Sequence, residues 1–347
     1  MTKDLVLQTL RSHAGEFVSG AALSEELGIS RTAVWKAVEV LRGEGWPIES
    51  QPRRGHRLAP VADVLSEEGI RRYLRQPGPE VRFFPSITST NTVLKQLALQ
   101  DVPAGLALVA ETQTGGRGRM GRSFYSPPAS GLYLSLLLRP RTEASKAVLL
   151  TACAAVAVAE TVEELSGVRP GIKWVNDLLV DGRKICGILT EAGLDVETGL
   201  VSHVIVGIGI NTRIPREGFP EELRDIAGAA FGTLPVPDLR CRLAAGILNR
   251  LWAWAEDPGS EEIFEKYRSR SLAPGQGILI LEPGKDPVPA VALGLDRDYA
   301  LRVRLEDGAL RLLRSGEISI RTLHPGEKFA MMQDNPTKEG CAEAQRS

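Results

Sequence analysis

The sequence is poor in the residues that build metal centres and disulfide frameworks. Its 347 residues include four cysteines and four histidines, scattered without the paired spacing of a zinc site or a disulfide scaffold. We therefore expect neither a disulfide framework nor an intrinsic transition-metal centre. The residues concerned are Cys153, Cys186, Cys241, Cys341, His13, His56, His203 and His324.

The chain also lacks long apolar runs and a large net charge. No apolar stretch reaches membrane-spanning length, and Met1-Thr2-Lys3-Asp4 lacks the basic and then apolar start of a signal peptide. The 42 basic and 43 acidic residues nearly cancel, and 43% of the residues are hydrophobic. These features predict an ordinary globular, cytoplasmic protein of two or three domains, with no membrane partner.

Charge and backbone freedom are concentrated in Gly115–Arg122, which alternates glycine with arginine. Glycine lets the backbone approach a ligand, and arginine offers a forked donor for carboxylate or phosphate. Three of the glycines also spell the G-x-G-x-x-G dinucleotide pattern, which requires a helix directly afterwards. Two prolines, Pro127 and Pro128, and an alternating strand follow instead. We predict an anion-binding loop charged by arginine; the alternative is a solvated basic hairpin loop.

Residues 1–62 have the pattern of a winged helix-turn-helix module. Two helical stretches, Asp4–Leu10 and Ser19–Leu27, are followed by the turn Gly28-Ile29-Ser30 and a third helix, Arg31–Leu41. Two short strands around a basic tip would form the wing. The residues predicted to contact DNA are Ser30, Arg31, Thr32, Lys36, Arg53, Arg54 and Arg57.

The charge of this module leaves a second interpretation open. Residues 1–62 hold eight Lys and Arg against seven Asp and Glu, which is not the strongly basic footprint of a module that binds DNA alone. The module could instead serve protein contact or pack on its neighbour. If it does bind DNA, a palindromic operator would require a homodimer that brings two modules together.

Residues 64–272 alternate strand and helix patterns, which predicts a mixed sheet covered by helices. Ser86–Thr92 places hydroxyls at a helix start, where they would cap the helix and could also hold a small polar ligand. An alanine- and valine-rich helix is predicted from Ala144 to Gly167. Gly171–Val180 is predicted as one strand with three polar groups, followed by a hairpin turn at Asp181-Gly182.

The C-terminal part has a different pattern. Short alternating strands in residues 274–323 predict a small β-barrel, and the polar residues 324–347 are predicted to be a disordered tail. The whole chain is therefore expected to be of the α+β class, with three domains and a tail.

Together, these motifs resemble those of the bifunctional biotin–protein ligases that also act as biotin-operon repressors. They occur in the family's order and cover residues 1 to about 323. One departure is Val175, where many members have proline, which affects the stiffness of the backbone before Asn176. The matching motifs are Ser89-Thr90-Asn91, Glu111 with Gln113, Gly116–Arg122, Lys173–Asp177, Arg183–Leu189, Gly207–Asn211 and Gly316–Ser319.

The resemblance implies a fold and an activity. The fold is a winged helix-turn-helix, a class II synthetase-like biotin ligase core and an SH3-like C-terminal barrel. The activity is attack of the biotin carboxylate on the α-phosphate of ATP, giving biotinyl-5′-AMP, and transfer of biotin to a lysine of a carboxylase carrier domain. Mg²⁺ would accompany ATP, and no prosthetic group is implied. The same chain would repress transcription at operator DNA in response to biotin.

The family's functional residues match positions in this chain. Lys184 and Arg119 match the catalytic positions, and Asp177 would meet the Mg²⁺ bound to ATP. From the residues alone, Asn176 and Asp177 could also be simple turn formers. Biotin would contact Ser89, Thr90, Asn91, Gln113, Arg117, Gly118, Arg119, Lys184 and Gly187, and ATP or the adenylate would contact Arg117, Arg119, Arg122, Lys173, Asn176, Asp177 and Asn211.

Two other functions remain open. The chain could be a biotin-sensing DNA-binding regulator that does not transfer biotin, but an intact Lys184 and arginine run argue against this. It could also be a ligase for another carboxylic acid, such as lipoate, which the match at Ser89, Thr90 and Gln113 disfavours. A dinucleotide oxidoreductase is excluded because no helix is expected after Gly121.

Overall fold

The computed structural model describes residues 2–43, 46–59, 63–100, 102–140, 147–195, 197–232, 236–314 and 319–322. Two compact units are present: Met1–Ile172 with Asn176–Arg270, and Lys173–Val175 with the chain from Ser271 onward. The predicted tail, 324–347, and residues 316–318 of the last motif lie outside the described residues. None of the helices in the described part is long and apolar enough to cross a bilayer.

The N-terminal module is a helix-turn-helix with a two-stranded wing, as predicted. Ser19 caps the second helix by accepting a hydrogen bond from the Ala22 amide at 3.0 Å, and Ser30 caps the third by accepting from Ala33 at 3.1 Å. Gly28, with φ 63°, makes the turn between them. The elements are α1 (Thr2–Ser12), α2 (Gly20–Leu27), α3 (Arg31–Gly43), β1 (Ile48–Gln51) and β2 (Gly55–Leu58).

A separate apolar core holds this module together. Leu10, Leu23, Val34 and Val38 are fully buried where the three helices meet. The wing is tied to the helices because Val18, before α2, pairs with His56 of β2 through two backbone hydrogen bonds of 2.8 Å. The position of the wing is therefore set by backbone pairing as well as by side-chain packing.

The central region is the predicted mixed sheet with helices. Its seven strands lie in the order β3-β4-β5-β9-β8-β7-β6 among the described residues. The strands β3 and β4 are parallel because α5 connects them, and β4, β5, β9 and β8 pair antiparallel. The elements are α4 (Glu67–Arg71), β3 (Glu80–Phe84), α5 (Thr90–Ala98), β4 (Leu106–Ala110), β5 (Gly131–Leu138), α6 (Ala147–Ser166), β6 (Gly171–Lys173), β7 (Asp177–Val180), β8 (Arg183–Leu194), β9 (Val201–Asn211), α7 (Leu239–Trp254) and α8 (Glu261–Arg268).

Two helices cover this sheet with apolar side chains. On α5, Leu94 is fully buried against Leu108, Leu137 and Ile205 of three neighbouring strands. Helix α6 contacts β7, β8 and β9 as well as α7 and α8. Its residues 152–159 are all fully buried, which explains the run of alanine and valine, because small side chains fit where a helix is covered on several sides.

One predicted element differs from the structure. Gly171–Val180 was expected to be a single strand but forms two, β6 and β7, with a turn between them. The Asn176 side chain donates to the Ile188 carbonyl oxygen at 3.0 Å and to Asp177 Oδ1 at 2.9 Å. Side-chain bonds of this kind compete with the ladder of a strand, and periodicity alone does not reveal them. The hairpin turn at Asp181-Gly182 is confirmed, since both residues have positive φ.

The C-terminal strands form one antiparallel sheet in the described residues, with the order β13-β12-β11-β10-β14. In the same unit, the Trp174 indole Nε1 donates to the Tyr299 carbonyl oxygen at 2.8 Å. The α+β class is therefore confirmed. The strands are β10 (Gly277–Leu281), β11 (Val288–Leu295), β12 (Leu301–Leu305), β13 (Leu310–Leu313) and β14 (Ser319–Thr322).

A buried ion pair fastens the segment after the wing to the central region. Asp63 accepts from Arg240, at the start of α7, through the backbone amide at 2.8 Å and through Nε at 2.9 Å. Arg240 Nη1 also donates to Glu111 at 2.8 Å. Burial lowers the pKa of Arg240, but Asp63 and Glu111 outweigh burial and leave this pKa above its ordinary value. A second contact, Arg11 with Asp238 at 2.9 Å, joins α1 to the residue before α7.

We expect Asp63→Ala to destabilise the protein strongly. The side chain of Arg240 is 4% exposed and that of Asp63 is 2% exposed, so the substitution leaves a buried guanidinium with only Glu111 as its carboxylate partner. Breaking a buried pair from one side costs about 3 kcal/mol. Urea unfolding measures this as a lower midpoint. Glu67→Ala, which removes an exposed pair with Arg71, is the control and should cost less than about 0.5 kcal/mol. Equal midpoints for the two variants would contradict the role of the buried pair.

Candidate functional site

A cleft lies on the central sheet between the start of α5, the glycine-arginine loop (residues 115–122) and strands β8 and β9. All nine residues predicted to contact biotin line it, together with Asn176. The cleft thus gathers residues from five separate segments of the chain. Their individual roles stay predictions, but their meeting in one place is an observed property of the fold. The nine are Ser89, Thr90, Asn91, Gln113, Arg117, Gly118, Arg119, Lys184 and Gly187.

The polar end of the cleft is built around the first turn of α5. Ser89 caps the helix, and the Thr90 amide and hydroxyl donate to Gln113 Oε1 at 2.9 and 3.2 Å. Gln113 Nε2 in turn donates to the Ser126 hydroxyl at 3.0 Å. These bonds fix the amide of Gln113 in one orientation. The result is a rigid set of donors and acceptors for a small polar ligand.

A serine within an apolar strand completes this network. The Ser135 hydroxyl is fully buried and lies 2.7 Å from Thr90 Oγ1 and 2.6 Å from Asn91 Oδ1. Neither Ser135 nor Ser126 was among the predicted site residues. The signal that could have found Ser135 is a serine in the otherwise aliphatic and aromatic run Gly131–Leu138, because a buried serine hydroxyl needs a partner.

The floor of the cleft consists of glycines on β9. A Cβ atom on Gly207 would lie 2.0 Å from Asn91 Oδ1, and one on Gly209 would lie 2.6 Å from the ring of Phe124. Positions 207 and 209 face the same side of the sheet because side chains alternate along a strand. Phe124, which the sequence did not single out, packs over this floor with its ring edge-on to Tyr133 at 6.4 Å. Glycine is therefore required here by close approach.

The glycine-arginine loop is a tight turn and not the start of an α-helix. Gly118 N donates to the Arg122 carbonyl oxygen at 2.7 Å, and Met120 and Gly121 have φ of 56° and 73°. One 3-10 turn and then β5 follow within the described residues 115–140. The prediction that no helix dipole serves this loop is confirmed. The alternative of a fully solvated loop does not describe Arg119, which is partly buried in the cleft.

Two arginines of the loop are held by side chains from other segments of the central region. Arg119 Nη1 donates to Asn176 Oδ1 at 2.9 Å, and Arg117 Nη1 donates to Glu191 Oε1 at 3.2 Å. Glu191 also accepts from Asn91 Nδ2 at 3.0 Å, so it joins the loop to the polar network. Glu191 was not among the predicted residues, and its partners are 74 and 100 residues away in the chain. No local pattern could have identified it.

The electrostatics of the cleft favour an anion. Burial lowers the pKa of Arg119, Asp177 opposes this shift and Arg122 adds to it. Arginine nevertheless stays charged at neutral pH. Lys184 Nζ lies 2.8 Å from Asp177 Oδ1, so Lys184, like Arg117, forms an ion pair with a carboxylate of the chain. An anion bound by Arg119 and Lys184 would have to compete with Asn176 for the first and with Asp177 for the second.

Four of the residues predicted to contact ATP do not line the cleft itself. Arg122 is exposed on the loop, and Asp177 pairs with Lys184 at 2.8 Å. Asn211 Nδ2 donates to the Gly228 carbonyl oxygen at 3.1 Å, and this bond joins the end of β9 to the segment at Gly228. Lys173 ends β6 and groups with the C-terminal unit. Among the described residues no three His, Cys, Asp or Glu cluster in a way that could hold a metal ion.

The cleft is narrow as it stands. Its cavity of about 50 Å³ has room for only a few water molecules. A larger ligand must therefore displace part of the lining, and the glycine-arginine loop is the more exposed part of it. Arg117 is half exposed and Gly115 is exposed, so the loop has fewer buried neighbours to hold it than the strands have.

The seven residues predicted to contact DNA lie on the N-terminal module, well separated into two groups. Ser30, Arg31, Thr32 and Lys36 are exposed at the start of α3, with the Ser30 hydroxyl used for capping. In the wing, Arg53 is exposed at the tip. The guanidiniums of Arg54 and Arg57 stack on the ring of Phe17 at 4.2 and 4.6 Å, and Arg57 also pairs with Glu49. Phe17 was not predicted.

Comparison with known proteins gives consistent matches. Residues 83–211 match the biotin/lipoate A/B protein ligase family, and residues 2–57 match an HTH domain. The chain is similar to the bifunctional ligase/repressor BirA of Bacillus subtilis, with 44% identity over 65% of this chain and 70% of the relative. It is also similar to BirA of Escherichia coli, with 32% identity over 89% of this chain and 94% of the relative. Among solved structures, the biotin protein ligase of Aquifex aeolicus in complex with biotin and ATP has 28% identity and a TM-score of 0.56, covering 70% of this chain and 99% of that one.

We expect Glu191→Gln to loosen the glycine-arginine loop. The substitution keeps the shape of the side chain but removes the charge that holds Arg117. Partly exposed pairs contribute about 0.2 to 1 kcal/mol, so cleavage by trypsin at the loop arginines should become up to about five times faster. Mass spectrometry of the early fragments measures this. Glu197→Gln, at an exposed position between β8 and β9, is the control and should be cleaved like the unmodified protein. Equal rates of trypsin cleavage at the loop in the two variants would show that Glu191 does not hold Arg117 in place.

Proposed function

Because the chain belongs to the biotin/lipoate A/B protein ligase family, we propose that it is an ATP-dependent biotin–protein ligase that also represses transcription. It forms biotinyl-5′-AMP from biotin and ATP and transfers biotin to a lysine of a carboxylase carrier domain. The observation that carries this proposal is the meeting of Thr90, Gln113, Arg119 and Lys184 in one cleft that is polar at one end and cationic at the other.

Biotin fits the order of groups along the cleft. Its ureido ring, which has two donors and one acceptor, would face the network of Thr90, Gln113 and Ser135. Its apolar arm would lie over the bare floor at Gly207 and Gly209, beneath Phe124. Its carboxylate would then reach Lys184 and Arg119. Ser89, Asn91, Arg117, Gly118 and Gly187 are assigned to support these contacts.

The adenylation step brings a carboxylate against a polyphosphate, so the site must first cancel their repulsion. Arg119 and Lys184 would do this at the α-phosphate, since a contact between arginine and phosphate is charge-assisted and contributes about 1.5 to 3 kcal/mol. When the carboxylate oxygen attacks phosphorus, the bond to the bridging oxygen breaks and pyrophosphate leaves. Lys184 would neutralise charge between the two oxyanions, as a compact ammonium can.

The remaining assignments concern ATP. Arg117, Arg122, Lys173, Asn176, Asp177 and Asn211 are proposed to contact ATP or the adenylate. Mg²⁺ would be held chiefly by phosphate oxygens, because Asp177 supplies a single carboxylate and Mg²⁺ readily keeps water and phosphate ligands. Once formed, the mixed anhydride would stay under the closed loop until a carrier lysine attacks its acyl carbon and AMP leaves.

The repressor function rests on the N-terminal module. We propose that a homodimer places two such modules on a palindromic operator, with Ser30, Arg31, Thr32 and Lys36 entering the groove and Arg53, Arg54 and Arg57 near the backbone. The domains would be residues 1–62, 64–272 and 274–323, the core being class II synthetase-like and the C-terminal sheet an SH3-like barrel. The protein would act in the cytoplasm, where ATP and carrier proteins are found.

The decisive experiment is transfer to a carrier. We expect incubation with ATP, Mg²⁺, biotin and a biotin carboxyl-carrier domain to raise the mass of the carrier by one biotinyl group on its lysine. Mass spectrometry reads the product, and lipoate replaces biotin in a parallel reaction. An unmodified carrier in the presence of bound biotin would favour a sensor without transfer activity, whereas modification by lipoate alone would reassign the substrate.

Arg119→Ala should release the intermediate. Removal of one charge-assisted contact predicts that labelled biotinyl-5′-AMP dissociates about 10 to 100 times faster, or forms that much more slowly. A chase with unlabelled adenylate followed by filtration measures the release. Arg82→Ala, on the exposed side of β3, is the control and should leave both rates unchanged. Normal formation and retention in Arg119→Ala would refute the role of the arginine as a clamp.

A further inference from the structure

An exposed tryptophan stands on the third helix of the N-terminal module. Of the five tryptophans, all of which the structure describes, Trp35 alone is exposed, at 57% of its surface. Helix α3 already has a complete apolar face: Val34, Ala37, Val38 and Leu41 are buried against the other helices. Trp35 therefore contributes little to the core. A large apolar side chain held in solvent at such a place indicates a contact with something outside the chain.

The surroundings of Trp35 are basic and polar. Residues one helical turn apart share a face, which puts Arg31 and Thr32 just before Trp35 on the exposed side of α3 and Glu39 just after it. Lys36 is exposed beside it. The single acid of this face, Glu39, is paired with Arg42 at 3.0 Å, so its charge is partly neutralised. An apolar protein surface covering this face would desolvate Arg31 and Lys36, whereas a polyanion would pair with them.

The wing supplies further cations close to the start of the same helix. Arg31 and Arg53 both border a cavity of about 480 Å³ beside the start of α2. The stacking of Arg54 on Phe17 and the pairing of Val18 with His56 hold the wing in this position. Cations on the helix and on the adjacent wing suit the phosphate backbones that border a DNA groove. Trp35, as the fifth residue of α3, lies in the part of the helix that enters a major groove.

We propose that Trp35 is a specificity-determining residue that packs its indole on the 5-methyl group of a thymine in the major groove. This inference rests on the DNA-binding function proposed above. The thymine methyl is the apolar group that the major groove displays, and the other base edges there present donors and acceptors. The indole also has one donor, Nε1, and no acceptor, so it can bond an acceptor on the neighbouring base. Arg31 and Thr32 would read polar edges alongside it.

The test compares protein and DNA changes in one cycle. The full chain, with biotin and ATP, first selects duplexes from a randomised pool, and the selected sequence is then synthesised with each thymine in turn replaced by uracil. This replacement removes only the methyl group. Fluorescence anisotropy measures the binding of each duplex. We expect one thymine in each half-site at which uracil weakens binding about three- to five-fold, the value of one buried methyl group.

The Trp35→Ala variant decides the inference. Its binding should be insensitive to uracil at that thymine, while Arg54→Ala, which removes a backbone contact, should bind all duplexes more weakly and keep the uracil effect. Ligase activity and circular dichroism should equal those of the unmodified protein, because Trp35 lies outside the cleft. If Trp35→Ala binds too weakly to titrate, Trp35→Leu replaces it, and its uracil effect should be smaller than that of the unmodified protein.

The other outcomes are distinguishable. A uracil effect of the same size with and without Trp35, or no sensitive thymine at all, overturns the inference but leaves sequence-specific DNA binding intact. Failure of the unmodified protein to select any sequence overturns the DNA-binding half of the proposed function, and the inference falls with it. Neither result would bear on the ligase half of the proposed function, which the transfer of biotin to the carrier tests separately.

Discussion

The cleft depends on a steric constraint: two positions on one face of β9 have no side chain. Asn91 occupies the space that a Cβ of residue 207 would take, and Phe124 occupies that of residue 209. These two contacts set how closely the first turn of α5 and the segment after the glycine-arginine loop approach the sheet. The hydrogen bonds between Thr90 and Gln113 belong to the same arrangement, because Thr90 is next to Asn91 in α5 and Gln113 donates to Ser126, two residues after Phe124. The absence of side chains at Gly207 and Gly209 thus allows the polar network to form at one end of the cleft and leaves space along its middle.

The cations of the cleft lie close together because each has a hydrogen-bonding or acidic partner within the chain. Each has a partner in the chain: Arg117 has Glu191, Lys184 has Asp177 and Arg119 has Asn176. Mutual repulsion between the cations is thereby offset, and their side chains lose less entropy on binding because they are already ordered. The same partners have a cost, since an arriving anion must replace them. A site of this kind gains selectivity for ligands with more than one anionic group, which can compensate for several partners at once.

Local patterns predicted most of the fold, and long-range contacts account for what was missed. The turn at Gly28-Ile29-Ser30 and the hairpin at Asp181-Gly182 depend on neighbours a few residues away, so the sequence reveals them. Glu191, Phe124 and the pairing of Asp63 with Arg240 depend on residues far along the chain, 177 residues apart in the last case. The break between β6 and β7 was missed for the same reason. It depends on a hydrogen bond from the Asn176 side chain to the Ile188 carbonyl oxygen in β8. The candidate cleft residues were found through motifs and not through geometry.

The pair formed by Asp63 and Arg240 has a consequence for the modularity of the chain. Residue 63 falls between the two predicted domains, where a flexible linker would usually be placed, yet its side chain is among the least exposed carboxylates of the described residues. A ligase half that began after residue 63 would contain Arg240 without Asp63, its buried partner. The two halves are therefore not interchangeable parts joined by a tether. Recombination of either half with that of a relative would preserve this contact only where the acid at the junction and the arginine at the start of α7 are inherited together.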